Sequence, residues 1–526
     1  MPVERRGHRG PTPVVLLAAI VTAAVLLPPA YLVLRAAGEG SAIVQALSAR
    51  STLAALGRTV LLTTTVTTTC VVVAVPLGWL TTRTNLPGAR AWTAVLALPL
   101  AVPSFVGGFV MVSALGPGGM LQDLLEPLGV ERVPSIYGFW GAWLVLSALS
   151  YPYLYLQVCA ALRREDPALH EAARSLGRSA HQTFFEVTLP QLRPAISAGG
   201  VLVALYVLSE FGAVSMLRYD TLTPLVYIQY TTQFDRGAAA VMGLPLLVLA
   251  ALIIGGDAFT RGPARYYARA QRAPQQRVPL GRWRWPAVAA CVLVLSVGVI
   301  VPVTVILYWL ARGLQEGART GLPFEVVTNT AQAAGLAAVA AGLASLPLAW
   351  VAVRHRGWGG AMMERAAYAG QALPAITIAL ALVFFVARYA SPLYQTLGVL
   401  VFAYAVRFLP EALGATRTAL LQVNPNGEEA ARSLGVGALR TFARVTAPQM
   451  APSVSAGMLL VFLTVMKELP ITLLLSPIGF DTFATTIWSA TSEAFFAQAA
   501  LPALVLMLCS GLAVLVMLRR EEVTLA

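Results

Sequence analysis

The chain has 526 residues, 57% of them hydrophobic and 12% charged, with a mean hydropathy of +0.72. That is too apolar for a soluble globular protein. Its apolar runs are also continuous and reach the roughly 20 residues a helix needs to cross a bilayer, which excludes a barrel of alternating strands. A net charge of +13 would suit nucleic acid, but the charges lie between apolar runs, so a lipid bilayer and not nucleic acid is the expected partner.

The first apolar run, 14–34, follows Arg5, Arg6 and Arg9. It is longer than a signal-peptide core and lacks a small-x-small cleavage site, so it reads as an uncleaved span. Further runs follow at 60–81, 91–115, 138–162, 196–217 and 241–259, then at 286–310, 330–353, 366–387, 397–420, 453–475 and 499–518. The expected fold is an all-α polytopic membrane protein of about twelve transmembrane helices, six in each half. Arginines concentrate at 83–90, 163–193, 261–284, 354–356 and 432–444, with Arg519 and Arg520 at the end. The intervening loops are poorer in Arg and carry Asp220, Asp235, Asp481 and Glu493. The positive-inside rule then predicts that both termini are cytoplasmic.

Between the halves, 261–285 (RGPARYYARAQRAPQQRVPLGRWRW) is basic and broken by three prolines, as a linker should be. It separates a first half, 1–260, from a second, 286–526. An even number of spans in each half inserts both the same way up, a parallel repeat. The repeat is visible in the letters. EAARSLGRSAHQTFFEVTLP at 171–190 returns as EAARSLGVGALRTFARVTAP at 429–448, an ungapped offset of 258. Pro152, Pro194 and Glu210 match Pro410, Pro452 and Glu468 at that offset, while Pro76 and Pro103 match Pro347 and Pro374 at 271.

Each copy encodes a short helix. Asp166 or Asn424 suits the N-cap, Pro167 or Pro425 the first helical position, and Gly177 or Gly435 the residue after the last turn. Helices are therefore predicted over 167–176 and 425–434, each followed by a second short helix, with the next spans starting near Pro194 and Pro452. Glu171 and Glu429 offer carboxylates, and Ala172, Ala173, Ala430 and Ala431 let another surface approach closely. An ordinary interfacial helix would have no reason to be duplicated in full.

Glu-Ala-Ala, three residues, Gly, nine residues, aliphatic, one residue and Leu-Pro resembles the signature loop of permease subunits of bacterial ABC importers. The first copy carries it at Glu171, Gly177, Val187, Leu189 and Pro190; the second departs only in having Ala447 where Leu is usual. The similarity covers nearly the whole chain in fused two-domain form and is greatest to ferric-iron permeases, with thiamine, phosphonate and polyamine permeases as alternatives. It implies the type I (MetI-like) permease fold in a bacterial inner membrane. It also implies that the loops 166–190 and 424–448 are coupling helices seated on two cytoplasmic ATPase subunits. An extracytoplasmic solute-binding protein would deliver the cargo.

The ATPase itself is not written here. A P-loop needs Gly-Lys-Ser/Thr, and the one lysine, Lys467, follows Met466. No cofactor is expected on this chain, ATP being used by the partner subunits, and the chain is not expected to be an enzyme. Ionisable groups within spans single out Glu210, Lys467 and Glu468 as pathway or gate candidates. The structural alternative ties each carboxylate to backbone or Arg where the helix breaks, at Gly212 or Pro470. Cys70, Cys159, Cys291 and Cys509 fall in apolar runs, and no His or Cys spacing suggests a metal site, so none is expected. A twelve-span secondary transporter would also show parallel repeats, but would not need the duplicated Glu-Ala-Ala loops.

Overall fold

The computed structural model describes residues 12–525, apart from 118, 130–133, 166–168, 170–171, 174, 234, 261–276, 319–320 and 356. Among these, eleven helices are long and apolar enough to span a membrane, or twelve if Trp358–Gly370 and Ala375–Tyr389 form one bent span. The fold is all-α, as composition dictates.

The chain folds as two compact units whose boundaries are not those of the repeat. One unit gathers Met1–Leu47, Gln229–Leu247 and Leu322–Thr486; the other gathers Ser48–Ile228, Val248–Gly321 and Ile487–Ala526. In the first, the N-terminal helix Thr12–Ala37 packs on Phe324–Arg354, Trp358–Ala372 and Ala375–Tyr389, all from the second repeat. Its Ala18 and Val25 join Leu348, Ala367, Val406 and Leu409 in one buried cluster. In the second, Val301–Gln315 packs on Ser104–Leu115 and Phe496–Leu525, and Phe109 of the first repeat stacks on Phe496, 5.9 Å between ring centres. Each unit thus completes four spans of one repeat with end helices of the other.

Within a repeat, backbones approach closely where side chains vanish, the usual way membrane helices associate without a hydrophobic drive between them. A Cβ added to Gly199 would lie 2.9 Å from the Leu154 Cα, and one added to the equivalent Gly457 2.7 Å from the Ala415 Cβ.

Two predicted spans are interrupted in each half. The span expected at 91–115 is a helix Ala89–Val95, a 3-10 turn Leu98–Ala101 and a helix Ser104–Leu115. Its counterpart bends by 100° between Trp358–Gly370 and Ala375–Tyr389. Both breaks fall before proline, where Val102 (ψ 115°) and Leu373 (ψ 130°) are held extended. The spans expected at 196–217 and 453–475 also stop early, at Leu208 and Val465, and resume as the short helices Gly212–Met216 and Pro470–Leu475.

At their other ends these same spans start earlier than Pro194 and Pro452. Each grows without interruption out of the loop's second short helix, through a π-helical turn at Phe184–Thr188 or Phe442–Thr446. The wider turn explains how Pro190 and Pro448 are accommodated: the Leu189 and Ala447 amides bond to Phe184 and Phe442 five residues back, relieving the ring-against-carbonyl crowding of a proline inside an α-helix.

Beyond the broken spans, one bond recurs in both halves. The buried Thr59 hydroxyl accepts the Leu222 amide at 3.0 Å and the buried Thr330 hydroxyl accepts the Phe483 amide at 3.0 Å. Each hydroxyl meanwhile donates to its own helix, to Ala55 or Val326 at 2.7 Å. Thr330→Val keeps the shape but strands a buried amide, at a cost of about 1–3 kcal/mol. We expect a lower unfolding midpoint in detergent; an unchanged midpoint would mean the amide has another acceptor.

Candidate functional site

The second loop forms the helix Pro425–Ser433, one residue short of the predicted length. Asn424 caps it, its side-chain oxygen accepting the Asn426 amide at 3.0 Å, and Pro425 sits at the first helical position, where its missing N–H costs nothing. Gly435 (φ +78°) ends it: the Val436 amide reaches back to the Ala431 carbonyl at 3.0 Å, and the Leu434 amide to Ala430 at 3.2 Å. Nothing lies within 4 Å of a Cβ added to Gly435, so glycine is required for its left-handed backbone and not for space.

The faces of this helix divide the labour. Glu429 and Ala430 are exposed and Ala431 is half-buried. Glu428 instead points into the bundle, where Arg354, the last residue of the helix Phe324–Arg354, pairs with its Oε1 at 3.1 Å. The Thr446 hydroxyl donates to the same oxygen at 3.0 Å. Aromatic contacts continue the attachment. Arg354 lies over the Trp350 ring, and Trp350 meets Phe442 edge to face with centroids 5.9 Å apart. The loop helix is therefore strapped to one span by an ion pair and to the next by a hydroxyl.

In the first loop, Glu171 lies outside the described residues, as do Asp166, Pro167, His170 and Arg174. What is described repeats the closing turn. Gly177 has φ +83°, the Arg178 amide reaches the Ala173 carbonyl at 3.1 Å, and the Leu176 amide reaches Ala172 at 3.1 Å. Ala172 is exposed and Ala173 buried. The equivalent of Arg354 is Arg83, at the end of the helix Arg50–Arg83, and it too is spent on a buried ion pair, here with Glu165 just ahead of the loop. The linker's end is fastened at the same place. Val278 donates to the Arg83 carbonyl at 2.8 Å and accepts the Asn85 amide at 3.1 Å, and Leu280 donates to the Asn85 side chain at 2.9 Å. Sequence reading overlooked these anchors, although Arg83 and Arg354 share the offset of 271 that relates Pro76 to Pro347.

Glu210 and Glu468 sit in the breaks of the two interrupted spans. The Glu210 Oε1 accepts the Ala213 amide at 2.9 Å and the Ser104 hydroxyl at 2.8 Å, while the Thr223 hydroxyl donates to the Glu210 carbonyl. Glu468 repeats the arrangement with other partners. Its Oε1 accepts the Ile471 amide at 3.4 Å, its carbonyl accepts the Thr472 hydroxyl at 2.5 Å, and its Oε2 faces Arg407 at 3.6 Å. Each carboxylate thus caps the short helix that follows it. Lys467 is half-buried and lies in the field of Glu411, a residue sequence reading did not single out. Among the described residues no three His, Cys, Asp or Glu side chains gather in a group that could hold a metal.

The family model for the binding-protein-dependent transport system inner membrane component matches twice, at residues 74–259 and 336–521. The Fe(3+)-transport system permease protein FbpB 2 of Haemophilus influenzae is 33% identical over 515 residues, covering 96% of this chain and 98% of that protein. Two sulfate permeases match single stretches. The probable sulfate transport system permease protein cysT of Prototheca wickerhamii is 32% identical over 34% of this chain and 70% of its own length. The sulfate transport system permease protein CysW of Escherichia coli is 30% identical over 44% of this chain and 81% of its own length.

Arg354→Met would leave the Glu428 carboxylate buried without its cation, an error that costs roughly 3–5 kcal/mol. Amide hydrogen exchange across 426–434 should accelerate, and Arg354→Met combined with Glu428→Met should recover most of the protection. Unchanged exchange in the single variant would show that the strap does not hold the helix.

Proposed function

The chain belongs to the binding-protein-dependent transport inner membrane components, the permease subunits of ABC importers, and from that premise we propose that it passes ferric iron across the membrane, driven by two separate ATPase subunits. The ATPases would seat on the loop helices within 166–190 and 424–448, presenting ATP hydrolysis that this P-loop-free sequence does not encode. A solute-binding protein would deliver the cargo on the opposite side. The arginine distribution supports cytoplasmic loops and termini. We keep 1–260 and 286–526 as the two ancestral permease halves, joined by the linker 261–285.

The observation that carries the coupling role is the two-faced helix Pro425–Ser433. Its outer face offers Glu429 and the small Ala430, while Glu428 straps the inner face to Arg354 at 3.1 Å. A push on the exposed face is delivered to the end of a span, because no compliant loop intervenes. ATPase closure would move both loop helices, and packed helices, which switch between discrete arrangements, would convert that movement into alternating access. Glu210 and Glu468 fit a gate: each holds a break in a span, so losing the carboxylate would free the short helix beyond it.

Ferric iron rests on the match to the Haemophilus protein along nearly the whole of both chains. The sulfate permeases support a second cargo reading, over at most 44% of this chain.

Charge reversal at both repeated carboxylates, Glu171→Lys with Glu429→Lys, is expected to abolish uptake and reduce co-purification of the ATPase. Undiminished ATPase yield would discard the coupling role. Glu468→Gln should lower uptake while the permease still assembles, and normal uptake would remove it from the gate.

A further inference from the structure

The two repeats serve as controls for one another. A residue that the shared engine requires should occur in both copies, whereas a residue demanded by the cargo can occur in one. At the offset of 258, Glu210 returns as Glu468, but Leu149 becomes Arg407, Tyr153 becomes Glu411, Tyr206 becomes Thr464 and Ser209 becomes Lys467. In the first repeat these positions are uncharged, and the Tyr153 and Tyr206 rings lie 5.4 Å apart. In the second they place three charged side chains around the interrupted span, which with Glu468 makes four.

Two of the four have structural duties. Glu468 caps the break, and Arg407 neutralises it while donating to the Leu373 carbonyl at 2.6 Å. The other two occupy places that are uncharged in the first repeat: Glu411 accepts the Thr464 hydroxyl at 3.1 Å across two helices, and Lys467 lies in its field. Both are half-buried, and so is Thr464 between them. Each ionisable group at membrane depth costs a few kcal/mol unless it faces water or a partner. The first repeat folds the same elements with no charge at these places.

We propose that Glu411, with Thr464 beside it, is a cargo contact: a carboxylate and a hydroxyl, both oxygen donors, that receive a hard multivalent cation as it passes. Lys467 is the resident counter-ion that satisfies Glu411 when no cargo is present and yields when the cation arrives. A lone carboxylate beside a lysine holds a cation weakly, which suits passage and not storage. The inference rests on the cation reading of the cargo given above, and it assigns the charged contact to the second half alone.

The test uses the complete importer, permease with ATPase and binding protein, in proteoliposomes. Ferric iron is supplied on the binding protein, sulfate serves as the competing cargo, and ATP hydrolysed per ion delivered is the readout. Glu411→Gln should raise that ratio by about tenfold, the worth of one charge-assisted contact, and Glu411→Asp should restore most of it. A merely structural role would lower hydrolysis and uptake together and leave the ratio unchanged, overturning the proposal. Iron import by the wild type with an unaltered ratio in Glu411→Gln would overturn this inference alone. Sulfate import without iron import would overturn the cargo reading and this inference with it.

Discussion

A helix interrupted inside a bilayer has no water to take up its freed amides and carbonyls, so other protein groups must do so. This chain interrupts two spans in each repeat, and at the second of them it meets the requirement the same way twice. A glutamate at the break accepts the amide three residues on, and a threonine hydroxyl donates to that glutamate's own carbonyl. With the break satisfied, the short helices Gly212–Met216 and Pro470–Leu475 can leave the span's axis. The segments beyond them then return to be held by Thr59 and Thr330. What differs is the carboxylate's further partner, a hydroxyl from Ser104 in one half and a guanidinium from Arg407 in the other.

The loop helices illustrate a related economy. A helix of nine residues is too short to be stable alone. Its ends are closed by Asn424 and Gly435, and its inner face is fixed by Glu428 to Arg354 and Thr446. The exposed side is then free for a partner because the buried side carries the attachment. In the first repeat the equivalent Arg83 pairs with Glu165, ahead of the loop, at the end of the helix Phe139–Arg164.

Each compact unit also borrows end helices from the other repeat. The N-terminal helix Thr12–Ala37 buries Ala18 and Val25 against the second repeat, and Val301–Gln315 packs on Ser104–Leu115 of the first. The ancestral unit and the folded unit are therefore different divisions of one chain, which binds the fate of the two halves together.

The sequence by itself determined the membrane class, the duplication, and the location and caps of the second loop helix. Those features are local: apolar run length, a constant offset, and an Asn, Pro and Gly whose backbone preferences act within a few residues. It could not decide between Glu428 and Glu429, because adjacent helical positions point about 100° apart and only the place of the bundle says which turns inward. It offered the breaks at Gly212 and Pro470, with the carboxylates tied to backbone or Arg, only as the alternative to a pathway role, since a hydropathy window averages over side chains and is blind to where the backbone turns. The exchange of end helices and the bond from Thr464 to Glu411 across two helices depend on contacts between distant segments. Only the packed tertiary structure brings Leu373, Arg407, Glu411 and Glu468 onto neighbouring elements, and so shows that the charges one repeat carries and the other lacks surround one interrupted span.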